Sequence, residues 1–177
     1  MELTCRRFEQ PDLPRLRAMY LAFEPKGAFQ GLPPVAEPRL DEWLHELVND
    51  GVENFVCDNG ERIIGHTMLC RGPGKHEAEL AIFIHQDWRG FGAGRALLLG
   101  TLNYGCKQLE LGRVQLSVQG ANVLALRLLE SVGFRPVMGS KSFAWELSME
   151  RPSNCEKCKG ELCDAFNVTL PVTIRKR

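Results

Sequence analysis

Long apolar runs are missing from this 177-residue chain. No stretch approaches the roughly 18 residues that span a bilayer, and Met1 to Gln10 carries Glu2, Cys5, Arg6 and Arg7 where a secretory signal needs an apolar segment. The expected location is therefore cytoplasmic, with no membrane partner. A charge excess is missing as well. Twenty-two lysines and arginines balance 22 aspartates and glutamates, which removes the basic field that nucleic-acid binding needs. Internal repeats and low-complexity tracts are absent too. What is there, 44% hydrophobic and 25% charged residues, suits one ordinary globular core with any disorder near the C-terminus.

Seven cysteines are present, an odd number. Cys5, Cys57, Cys70 and Cys106 lie in strand-like or helix-like apolar contexts, where a reduced thiol behaves as a small buried hydrophobe. The other three are in the hydrophilic tail. Cys155-Glu156-Lys157-Cys158 is followed by Cys163 after four intervening residues, with no His nearby. A structural zinc needs four ligands, so Cys155, Cys158 and Cys163 would require Asp164 or a residue elsewhere as the fourth. A disulfide or redox pair and an inert appendage stay open beside the zinc site.

The densest signal runs from Glu77 to Arg95. Leu80, Ile82 and Ile84 alternate with Ala81, Phe83 and His85 in a strand pattern, and Ala96, Leu97, Leu98, Leu99 and Leu102 form a helical stripe beyond it. Between them lies Arg89-Gly90-Phe91-Gly92-Ala93-Gly94. Glycines let the backbone turn and approach a ligand closely, and the uncapped amides of a helix start carry partial positive charge, so such a turn attracts phosphate. A P-loop needs a Lys after its glycines and none follows here. A dinucleotide turn counted from Gly90 and Gly92 finds Arg95 where its third glycine belongs. The pattern left is Arg-x-x-Gly-x-Gly, filled by Arg89, Gly92 and Gly94.

That segment resembles the acetyl-CoA-binding motif of the GCN5-related N-acetyltransferases. About thirty residues on, Asn122-x-x-Ala125 followed by Glu130-Ser131-Val132-Gly133-Phe134 is similar to the family's later signature. The resemblance covers Met1 to about Glu150 as one acetyltransferase domain, leaving residues 151–177 as a Cys-containing tail. It implies an α/β (mixed α+β) fold: a central, mostly antiparallel mixed sheet flanked by helices and splayed at the cofactor site, in the order β-α-α-β-β-β-α-β-α-β-β. The chain agrees with that order. Strands are expected at Glu2–Phe8, Asn54–Cys57, Arg62–Cys70, Glu77–His85, Arg113–Val118, Phe134–Val137 and Ser142–Met149. Helices are expected from Asp12, as N-cap, to about Phe23, at Asp41–Val48, from Gly92 to about Leu109, and at Asn122–Val132. Asn59-Gly60 marks a hairpin between the second and third strands. Val168 to Ile174 is strand-like around Pro171 and could pack on a sheet edge or on another subunit.

The implied activity is transfer of acetyl from acetyl-CoA to a primary amine, on a protein lysine or a small molecule, by direct attack in a ternary complex. The resemblance assigns Ile82, Phe83, Ile84, Arg89, Gly90, Phe91, Gly92, Ala93, Gly94, Arg95 and Asn122 to the cofactor. Backbone N–H groups near Phe83 and Ile84 would face the oxyanion that develops on the thioester. It implies a base at Glu79, ten residues before Arg89, because an attacking amine must first lose its proton. A solvated or salt-bridged Glu79 beside Glu77 is the alternative. The resemblance implies that the region of the turn-rich Glu24–Pro34 segment lines the acceptor pocket, with Phe23 and Phe29 at it; the segment reads equally as a plain connecting loop. The Tyr that commonly protonates the leaving thiolate falls on Leu129 here, leaving water or Tyr104 as donor; Tyr104 also reads as a packing residue. His85 and Trp88 read as structural. A silent coenzyme-A-binding regulatory module is the alternative function, and association into homodimers is left open.

Overall fold

The computed structural model describes residues 2–26, 33–48, 51–138 and 144–148, together with the backbone of residues 167–171. The chain runs β1 (Glu2–Arg7), α1 (Leu13–Leu21), α2 (Glu37–Val48), β2 (Val52–Asp58), β3 (Ile63–Arg71), β4 (Glu77–Ile84), α3 (Ala93–Gln108), β5 (Arg113–Ser117), α4 (Val123–Val132), β6 (Arg135–Pro136), β7 (Ala144–Ser148) and β8 (Asn167–Pro171). One open sheet orders these strands β6-β7-β5-β4-β3-β2-β1-β8. Every neighbouring pair is antiparallel except β4 and β5, which are parallel. Parallel neighbours need a crossover, and α3 supplies it.

Strand alternation divides the core between the two faces. Leu80, Ile82 and Ile84 of β4 join Leu97, Leu98 and Leu102 of α3, with Leu129 of α4, on one side. Phe83, one residue out of phase, turns to the other side and packs with Leu16, Tyr20 and Phe23 from α1 and its exit and with Leu40 and Leu44 from α2. Tyr20, Phe23 and Trp43 meet the Phe83 ring edge-on at centroid distances of 5.6, 5.7 and 6.1 Å, an arrangement that aromatic quadrupoles favour.

Beneath this cluster runs a buried polar chain. The Asn54 side-chain amide donates to Leu47 O (2.7 Å) and Val52 O (3.1 Å), which turns its Oδ1 toward His66 Nε2 at 3.0 Å. His66 therefore carries its proton on Nε2 and accepts from the Tyr20 hydroxyl at Nδ1, 2.7 Å away. Burial drives both rings toward neutrality: His66 is pushed down to about 3 and Tyr20 well above its ordinary value.

Some local expectations are corrected. Asp12 does not cap α1 with its carboxylate. Instead it receives Arg6 Nη1 and Nη2 at 2.6 and 2.8 Å and the Glu9 amide at 3.0 Å, a two-pronged charged bond that outcompetes a helix cap. Helix α2 begins four residues before Asp41, at Glu37, because Arg17 of α1 pairs with both Glu37 and Asp41 and holds that first turn. Gly60, at φ +90°, makes the β2–β3 turn as Asn-Gly implies. Among the described residues Cys5, Cys57, Cys70 and Cys106 form no disulfide, and all but the half-buried Cys70 are buried. Strand β8, from the tail, pairs antiparallel with β1 from Glu2↔Pro171 to Arg6↔Asn167, so the tail extends the sheet at that edge.

Candidate active site

The turn between β4 and α3 is built by its glycines. Gly90 and Gly92 sit at φ +85° and +88°, and Gly92 is the residue preceding α3, with no side chain capping the helix. The first intrahelical bond there is Ala96 N–H to Gly92 O, so the amides of Ala93, Gly94 and Arg95 are left without helical acceptors at the positive end of a 16-residue helix. An added Cβ at Gly90 or Gly92 would meet nothing within 4 Å, so the turn opens outward rather than against protein. Gly94 has a different reason: its Cβ position lies 3.3 Å from the Leu128 side chain and 3.4 Å from that of Ile84, so α3 packs tightly on α4 and β4 there and a larger residue would require those side chains to give by a few tenths of an ångström. This arrangement fits a phosphate-bearing group.

Beside the turn the sheet opens. β4 and β5 are in register only from Glu77↔Arg113 to Glu79↔Gln115. Beyond Glu79, β4 continues along β3 alone to Gly65↔Ile84. The bond from His85 N–H to Ile64 O makes Ile64 and His85 a hydrogen-bonded pair, and alternation then gives Phe83 and Ala81 to the β3 ladder. The main-chain groups of Ile82 and Ile84 face the gap instead. The Phe83 amide, expected there from the sequence, is turned away into β3, and its ring lies in the aromatic cluster.

Glu79 stands where the gap begins. It is exposed, opposite Cys70 on one side and Gln115 on the other, and its carboxylate makes no hydrogen bond or ion pair among the described residues. Glu77, on the same face, is salt-bridged to Arg113, which also reaches Glu146 at 3.7 Å. Gln115 donates to Glu146 at 2.8 Å. Helices α1 and α2 cover β2 and β3, whereas past β4 the same face is polar, with Glu79, Gln115, Ser117 and Ser148 exposed.

The remaining expected site residues fall in different places. The Asn122 side chain caps α4 by accepting from the Ala125 amide at 3.2 Å, and it is exposed. Arg95 is exposed on the first turn of α3, and Phe91, 37% exposed, packs near Trp88. Arg89 directs its donors inward: Nε to Ile84 O (3.0 Å) and Nη2 to Glu24 O (2.5 Å), with the guanidinium 5.5 Å above the Phe23 ring. Phe23 is buried against Phe83. Leu129 is 1% exposed within the α3-side core. Tyr104 meets Phe55 edge-on under Arg7, about three helical turns from the start of α3, and so is a packing residue. Burial lowers the affinity of His85 for a proton, and its Nδ1 accepts from the Asp87 amide in the turn.

Phe29, Cys155, Cys158 and Cys163 lie outside the described residues. Among those that are described, no group of three or more His, Cys, Asp or Glu side chains gathers to hold a metal ion. Gln86 is the residue that sequence reasoning passed over. It donates to Ala22 O at 2.8 Å and accepts from Glu24 N–H at 3.0 Å, contacts across more than sixty positions that leave no local pattern.

Solved structures share this architecture. A GNAT-family acetyltransferase from Streptococcus pneumoniae superposes with a TM-score of 0.68 at 19% identity, covering 84% of this chain and 99% of that one. The ribosomal-protein-alanine N-acetyltransferase of Brucella melitensis gives 0.64 at 21%, covering 82% and 99%. The spermidine N-acetyltransferase SpeG of Vibrio cholerae, crystallised with manganese ions, gives 0.61 at 23%, covering 83% and 92%. At such identities the likeness establishes the fold. No curated protein matches the sequence significantly. The sequence profile of the acetyltransferase (GNAT) family, however, matches residues 13–134, across the glycine turn, the parted strands and the Asn122 helix, and the chain belongs to that family.

Proposed function

We propose that this protein is an N-acetyltransferase that carries the acetyl group of acetyl-CoA directly to a primary amine in a ternary complex. The observation that carries this reading is the junction of two features: the uncapped α3 start at Ala93–Arg95 and the adjacent opening of the sheet after Glu79↔Gln115. The first suits a pyrophosphate held by main-chain N–H groups, with Arg95 as a nearby cation and Asn122 beside the pantetheine arm. The second suits a thioester laid between β4 and β5. There the Ile82 and Ile84 N–H groups face the carbonyl oxygen, each such donor being worth about 3 kcal/mol of barrier.

Glu79 is assigned as the base. A lysine-like amine with a pKa near 10.4 is neutral in fewer than about one molecule in a thousand at pH 7. An exposed carboxylate at the mouth of the gap, with no hydrogen-bond or ion-pair partner among the described residues, can take its proton directly or through water. The sulfur leaves as a thiolate with a pKa of about 8.5, and water can protonate it.

One observation favours the alternative of a coenzyme-A-binding regulatory module: the position of the usual general acid is filled by Leu129, buried in the core. One assay separates the two readings. The full chain is mixed with acetyl-CoA and spermidine, a lysine peptide or a peptide beginning with alanine, following the acceptors in the names of the structural neighbours, and free thiol is monitored. Amine-dependent thiol release supports the enzyme. Coenzyme A binding with no release on any amine supports the module, and no binding removes both.

A further inference from the structure

We propose that Gln86 is a positioning residue that couples the coenzyme turn to the exit of α1, so that coenzyme binding and the ordering of Ala22–Glu24 reinforce one another. The proposal rests on the coenzyme site proposed above.

Helix α1 ends weakly on its own account. Its last backbone bonds, Ala22 N–H to Ala18 O and Phe23 N–H to Tyr20 O, are both 3.3 Å long. The carbonyls that a helix end leaves without partners are instead met by side chains. Lys26 donates to Leu21 O at 2.6 Å and Gln86 to Ala22 O at 2.8 Å, and two residues past the helix cap Arg89 donates to Glu24 O at 2.5 Å. Two of these three donors belong to the segment between β4 and α3.

Gln86 does more than cap. By also accepting from Glu24 N–H at 3.0 Å, its amide grips the backbone on both sides of Phe23, much as a neighbouring strand would. The Arg89 guanidinium closes over the Phe23 ring, and that ring rests 5.7 Å from Phe83. Phe83 lies between Ile82 and Ile84, the residues whose main chain faces the gap. The path from the turn to the wall beside the gap is therefore short and physical: Gln86 and Arg89, then Ala22–Glu24, then Phe23 on Phe83. A ligand that stills residues 86–95 removes freedom from Ala22–Glu24 as well, and by linkage an ordered α1 exit tightens coenzyme binding.

The test is amide hydrogen exchange on the full chain, wild type and Gln86→Ala, with and without saturating coenzyme A, with affinity measured by calorimetry. In the wild type the amides of Ala93–Arg95 and of Ala22–Glu24 should both slow on binding, the latter about fivefold or more. In Gln86→Ala the slowing at Ala93–Arg95 should persist, the slowing at Ala22–Glu24 should vanish, and coenzyme affinity should fall by the same coupling factor. A purely structural Gln86 would instead speed exchange at Ala22–Glu24 equally with and without ligand. Equal ligand-induced slowing in both proteins overturns the coupling while leaving the coenzyme site standing, whereas a wild type that does not bind coenzyme A overturns both. Should Gln86→Ala fail to fold, Gln86→Glu, which keeps the acceptor for Glu24 N–H and loses only the donor to Ala22 O, takes its place with the same readings.

Discussion

Glu79 of β4 and Gln115 of β5 are the last two residues in register before their strands part. The pairing puts a carboxylate with no partner among the described residues at the mouth of the gap, while Glu77, two residues earlier on the same face, is bound to Arg113. Of the two, Glu79 is the one without an ion-pair partner among the described residues.

Glu79→Gln keeps the shape and removes the proton acceptor. On any amine that the wild type turns over, kcat should fall about a hundredfold or more, the usual contribution of a positioned base. Coenzyme A affinity by calorimetry should stay within about twofold, since Glu79 is remote from the turn in the proposed pose.

Gly92→Val tests the phosphate turn. A β-branched residue at φ +88° costs about 1–3 kcal/mol of backbone strain, and relieving it would turn the α3 amides out of line. Coenzyme A affinity is expected to fall at least about tenfold, which at about 1.4 kcal/mol lies within that strain. Far-UV circular dichroism should show the fold retained, and unchanged affinity in a folded variant would remove the turn from the site.

Leu129→Tyr asks whether the usual acid can be restored. Leu129 is 1% exposed among packed apolar groups, and a tyrosine there overfills the core. Stability should drop by about 1–3 kcal/mol in urea unfolding, with no gain in kcat. A rise in kcat would show instead that this position faces the thiol.

The His66 network makes stability depend on pH. Its folded-state value of about 3 lies below the roughly 6.5 of an unfolded histidine, so on acidification the unfolded chain takes up a proton that the folded one refuses. The stabilisation is complete above about pH 6.5 and is lost as pH falls from there toward 3, by on the order of 5 kcal/mol in total. Urea midpoints should decline between pH 7 and 4.5, a window above the range where Asp12, held low chiefly by its Arg6 hydrogen bond, gains its proton. His66→Gln should flatten most of that decline. His85, lowered in the same direction by burial, would account for a residual slope.

Much of the fold and of the glycine turn between β4 and α3 can be read along the chain because both are written in local chemistry. The alternation from Leu80 to Ile84, the helical stripe after Gly94 and the positive φ that Gly90 and Gly92 supply are short-range properties. The Asn122 cap and the Gly133 helix end, at φ +108°, belong to the same class. In the sequence the β8–β1 pairing is visible only as a strand-like tail that could meet a sheet edge or another subunit, and folding selects the edge at β1. Asp12 stands at the N-cap position that its place ahead of an apolar stripe implies, but a guanidinium from another strand claims its carboxylate.

Order along the chain was enough to establish the succession of strands and helices, the glycine turn and the family motifs, since each depends on residues within a few positions of one another. Folding decided which carboxylate stands free at the gap, that Ile82 rather than Phe83 points its amide there, that Arg89 turns inward, and that Gln86 holds the end of α1. Those outcomes depend on register, on how two faces of one sheet are covered, and on competition among partners distant in sequence. No local pattern encodes them, because the groups that compete come together only when the chain closes on itself.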